Sequence, residues 1–106
     1  MLTVRSFLLV AILTVACSSC SWVKLTDAGK TVHVANIGEV TSCEQLGEAT
    51  AHVLDKVGFV RRSRAKQARE LATLARNEAA GMGGNTIVAV SDIEDGGRKF
   101  RVYRCN

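Results

Sequence analysis

Four cysteines carry the most versatile chemistry in this 106-residue chain, at positions 17, 20, 43 and 105. A thiol can take an acyl chain, close a disulfide or, in a Cys-x-x-Cys pair such as Cys17 and Cys20, exchange electrons. What precedes the first two narrows the choice. Phe7 to Ala16 is an apolar run, Arg5 is the one charge before it, and no acidic residue occurs until Asp27. A basic start, an apolar stretch of about ten residues and small residues after it make a secretory signal, too short for a membrane span of ~20 residues. A redox pair works at the helix N-terminus of a folded domain, where the thiolate is stabilised. Here the pair abuts an export signal. A cysteine at the cut can instead receive a diacylglycerol on its sulfur, which predicts a lipid anchor at Cys17 or Cys20.

The residues leave the choice between those two open. Cys17 follows Leu13 to Ala16, an aliphatic run ending in a small residue, and Cys20 follows only Cys17, Ser18 and Ser19. Local pattern favours Cys17. Parity favours Cys20, because a cut there discards Cys17 and leaves no odd thiol. Either way Cys43 and Cys105 remain, and in an oxidising compartment they pair; free buried thiols are the alternative. The expected organisation is a signal peptide over 1–19, cut before Cys17 or Cys20, a tether over 20–30 and one small domain over 31–106.

Other chemistry is sparse. His33 and His52 lack a Cys-x-x-Cys, His-x-x-x-His or acidic partner at ligand spacing, so no metal and no cofactor is expected, and packing or surface roles suit them better. No Ser/His/Asp or Cys/His arrangement suggests catalysis. The glycine-rich Gly81 to Asn85 follows a helix pattern rather than opening one, the wrong order for a phosphate cradle. The basic run Arg61, Arg62, Arg64, Lys66 and Arg69 is the one charged surface of interest. It reads as a solvated helix face or as a contact with anionic headgroups or an acidic partner. The net charge of +4 is modest, and for an exported chain it argues against nucleic acid.

Elements must position these groups. Residues 31–35 alternate and predict a strand with Val32 and Val34 on one face, and residues 46–54 predict a second strand, followed by a loop over 55–60. Residues 63–82 predict a helix capped by Ser63, with Ala68, Leu71, Ala72, Ala75, Ala79 and Met82 on one face and Gly83-Gly84 as the stop. Its first turns are cationic, against the helix dipole. Residues 86–93 predict a β-branched strand, Asp95-Gly96-Gly97 a hairpin turn, and residues 99–105 an antiparallel partner with Phe100 and Val102 facing one way and Tyr103 and Cys105 the other. The order β-β-α-β-β predicts a small α+β domain: a mostly antiparallel sheet of about four strands, one helix on one face and one disulfide.

The segments CSWVKLT, then Ser42-Cys43 and Leu46-Gly47, then LDKVGFVRRS, LATLARNEAA, GGNTIV and the terminal VYRC also carry a resemblance. Together they resemble a family of small proteobacterial lipoproteins of unknown function and, more distantly, the outer-membrane lipoprotein sensor of the Rcs stress phosphorelay. The resemblance implies acylation of the cysteine before SWVKLT, which is Cys20, and a stapled α+β domain. Serine rather than aspartate after that cysteine is similar to proteins sorted to the outer membrane. The Rcs sensor holds two disulfides, whereas this domain can make one. The expectation is therefore a palmitate-bearing lipoprotein of the cell envelope, facing the periplasm, that serves structure or interaction and is not an enzyme. Its rivals are an envelope-stress sensor signalling to an inner-membrane partner and a ligand- or metal-binding module.

Overall fold

A computed structural model describes residues 23–106. The expected signal peptide, Cys17, Cys20 and Trp22 lie outside the described residues. Among the described residues six strands and one α-helix follow in the order β1 (His33–Val34), β2 (Glu44–His52), β3 (Lys56–Val57), β4 (Val60–Arg61), α1 (Arg64–Gly81), β5 (Thr86–Ala89) and β6 (Gly97–Arg104). Four strands form a sheet in the order β1-β5-β6-β2, with β1 parallel to β5 and the other pairs antiparallel. The α+β fold with one helix and one disulfide is as expected.

Alternation builds the central sheet. Phe100 and Val102 of β6, Ile87 of β5 and Ala49 and Ala51 of β2 are buried in one cluster with Leu71, Ala75 and Ala79 of α1. Alanines on both surfaces let the helix approach the strands closely. Tyr103 points the other way, into a smaller cluster with Val40 and Val88 beside both cysteines of the disulfide. One sheet face is thus covered by the helix, and the other in part by the segment leading into β2.

Both ends of α1 are closed locally. Ser63 Oγ accepts from the Lys66 amide at 3.2 Å. At the other end Gly84 N donates to Ala79 O at 2.8 Å and Gly83 N to Ala80 O at 3.1 Å, with Gly83 at φ 80°. That pair of bonds is a Schellman stop. Gly84 is required for a different reason, since a Cβ there would collide with Val102 Cγ1 and sit 3.2 Å from the Ala79 and Tyr103 carbonyl oxygens. Gly84→Ala is expected to lower stability by about 1–3 kcal/mol through overpacking, read by thermal unfolding. An unchanged midpoint would show that β6 moves away freely.

Three expectations need correction. The first strand is only His33–Val34, because Gly29–Thr31 forms a 3-10 turn whose carbonyl at Gly29 accepts from Val32 N at 3.1 Å. The turn breaks the alternation, so Val32 is buried in the core and Val34 is exposed. β5 ends at Ala89 rather than residue 93. Ser91 interrupts it: its Oγ takes the Lys99 amide at 2.9 Å and its carbonyl takes Arg98 Nε at 2.9 Å, replacing ladder bonds. The loop over 55–60 is a hairpin, β3 paired with β4. The turn at Asp95-Gly96 is as expected: both residues have positive φ, 49° and 73°, and Glu94 and Gly97 exchange backbone bonds across it.

Candidate functional site

Cys43 and Cys105 are bonded, with Cα atoms 4.6 Å apart across a sequence separation of 62. Asn85 sets the position of the second. Its Nδ2 donates to Cys105 O at 2.6 Å and its Oδ1 accepts from Cys105 N at 2.8 Å, while its carbonyl accepts from His33 N. The Gly83-Gly84-Asn85 run is thus a helix stop followed by a clamp on β1 and the chain end.

The histidines are not brought together. His33 lies on β1 and His52 on β2, the two opposite edges of the sheet, and both are exposed. Among the described residues no group of three or more His, Cys, Asp and Glu side chains is placed to hold a metal.

The basic run divides. The Arg62 side chain is 7% exposed and donates from Nη2 to Glu70 Oε1 at 2.6 Å and from Nη1 to Leu54 O at 2.8 Å. It is a bolt between the end of β2 and α1 rather than a surface cation. Gln67, buried beside it, donates to Arg62 O at 3.0 Å. Arg61, Arg64, Lys66 and Arg69 stay exposed, and the first turn of α1 contains no acidic residue. Arg61 and Arg64 line a cleft with Asp55 and Asp95.

Next to these cations stands the β3–β4 hairpin, in place of the loop expected over 55–60. Val57 pairs with Val60 across a two-residue turn, Gly58-Phe59, with Gly58 at φ 62°. A glycine at the first turn position is what a type II′ hairpin requires, so Gly58 between two valines was the available signal. Val57, Phe59 and Val60 are exposed, and Phe59 is as accessible as in an extended peptide, at 107%. Burying a phenylalanine side chain is worth about 1.5–3 kcal/mol. This hairpin forgoes that gain in water.

The segment expected to serve as a tether, 20–30, is attached to the helix from Lys24 onward. Asn77 Nδ2 donates to Lys24 O at 2.8 Å and its Oδ1 accepts from Thr26 N at 2.9 Å. Arg76 Nε donates to Val32 O at 2.8 Å. Upstream, Val23 lines a depression with Val53, Leu54 and Leu74. From Asn77 to Leu74 the chain therefore runs back toward the start of α1. Asn77→Ala is expected to cost about 0.5–1.5 kcal/mol, because the exposed bonds to the Lys24 carbonyl and the Thr26 amide are exchanged for water, and to speed amide exchange over 24–30 selectively. Uniform exchange changes across the sheet would contradict that local role.

A family model described as Domain of unknown function (DUF4156) matches residues 23–105. No curated protein and no solved structure matches.

Proposed function

The chain belongs to the family described as Domain of unknown function (DUF4156), and for this member we propose the role of an envelope lipoprotein. Its domain is held close to a membrane and serves structure or interaction rather than catalysis. The observation that carries this reading is the Cys43–Cys105 disulfide behind an apolar, acid-free leader ending in Cys-Ser-Ser-Cys. A disulfide across a small domain belongs to an oxidising compartment, and the leader supplies the route there. Among the described residues no helix is long and apolar enough to cross a membrane, and acylation of Cys20 supplies an attachment that needs no span.

The use of polar side chains supports a non-catalytic role. Arg62, Glu70, Arg76, Asn77 and Asn85 each hold one chain segment to another. They act as fasteners in a domain whose core is built largely of alanine, valine and single large residues.

The test is palmitate labelling of the gene product in a Gram-negative host. Label that is present in the native protein, kept in Cys17→Ser and lost in Cys20→Ser is the expected result. Loss in Cys17→Ser alone moves the anchor to Cys17. Absence of label from the native protein overturns the lipoprotein reading.

A further inference from the structure

Charge, apolarity and the course of the chain converge on one end of this domain, where α1 begins. Lys56 and Arg61 stand directly opposite each other in the β3–β4 ladder, a like-charge pairing that weakens a hairpin. Arg64 and Lys66 follow in the first turn of α1, where positive charge opposes the helix dipole. Folding asks for neither arrangement. Lys56, Arg61, Arg64, Lys66 and Arg69 stand at this end against Asp55 and Asp95, with Asp92 and Glu94 on either side of Ile93, which lines the same cleft. At the tip, Val57, Phe59 and Val60 are held out in water. A short hairpin with an apolar tip and a cationic base has the amphipathic make-up of an interfacial membrane element.

We propose that the β3–β4 hairpin is a membrane-contact element that lies on an anionic phospholipid surface. Phe59 and the two valines enter the headgroup boundary, while Lys56, Arg61 and Arg64 meet the phosphates. Arg64 Nη1 already donates to Ile93 O at 3.4 Å, whereas the like-charged Lys56 and Arg61 face each other across the ladder, and anionic headgroups would neutralise that pair.

The position of the N-terminus supplies the membrane. Asn77 fixes Lys24 and Thr26 to the helix, and Val23 lies beside Leu54, next to the base of the hairpin. Cys20 is therefore at most about 14 Å of extended chain from Lys24. A lipid at Cys20 keeps Val23, which lies beside Leu54 at the base of the hairpin, within about 10 Å of extended chain from the anchor. The inference rests on the anchor reading for which membrane the hairpin faces, and on the hairpin's own side chains for the contact.

The test places the chain's sole tryptophan at the tip, as W22F/F59W, in acylated protein isolated from envelopes. The protein is reconstituted in vesicles containing roughly one-third phosphatidylglycerol, with or without bromine on the acyl chains. Bromine is expected to quench the emission about twofold or more, and adding K56E/R61E, both at exposed positions, is expected to abolish the quenching. Water-like, unquenched emission from protein that carries its acyl chains overturns the hairpin contact and leaves the anchor intact. Quenching that survives both K56E/R61E and neutral phosphatidylcholine vesicles overturns the role of the cations. Protein that lacks acyl chains yet is quenched when added to anionic vesicles overturns the anchor reading and upholds the hairpin.

Discussion

Replacing Cys43 and Cys105 by alanine is expected to lower the stability of the domain by about 4 kcal/mol, the chain-entropy value for a loop of this length. The bond joins the segment before β2 to the end of β6, so its removal frees the unfolded chain over nearly the whole domain. Total stabilities are about 5–15 kcal/mol, and a domain of this size lies toward the lower end. Unfolding in urea should show a midpoint shift that reductant reproduces in the native protein. The Asn85 clamp holds the backbone of Cys105 and not its sulfur, so the native register should survive in the alanine variant below its midpoint. A shift under 1 kcal/mol would mean that the clamp and the ladder, rather than the staple, close the fold.

Arg62→Ala is expected to cost about 3–5 kcal/mol, because it leaves a mostly buried carboxylate without its counter-charge. The Glu70 side chain is 15% exposed, and among the described residues its Oε2 has no hydrogen-bond partner even with Arg62 present. The same substitution releases the Leu54 carbonyl to water and loosens the connection between β2 and α1. Removing both charges at once, as R62M/E70L, should recover much of the loss, since apolar side chains of similar volume pack where the ion pair sat. Guanidinium unfolding of the single and double variants measures both. A single variant within 1 kcal/mol of the native protein would place Arg62 and Glu70 in solvent rather than in the interior.

Much of the fold was legible in the residues, and the failures have local causes. The helix was readable because Ser63, the alanine face and Gly83-Gly84 agree on the same boundaries. β2 and β6 were readable because Ala49, Ala51, Phe100 and Val102 alternate strictly with polar neighbours. β1 was overextended because Val32 and Val34 look equivalent in a string, and only the 3-10 turn at Gly29 separates them. β5 was overextended because Ser91 sits in a β-branched run whose ladder its own hydroxyl interrupts.

The candidate site was harder to read. Five cations in sequence looked like one patch, but Arg62 turns inward to meet Glu70 from the next turns of the helix. Asn77 and Asn85 looked like ordinary helix and turn residues, because their partners lie 53 and 20 positions away. Spacing along the chain holds no record of such bonds. The β3–β4 hairpin was missed because two strands of two residues each make too short a run for alternation to register, although Gly58-Phe59 between valines carried the turn.

The most direct measurement is the intact mass, with and without reductant, of the gene product isolated from Gram-negative envelopes. The account predicts a chain beginning at Cys20, carrying acyl mass and gaining two hydrogens on reduction. A chain without acyl mass, or one whose mass is unchanged by reductant, would contradict it.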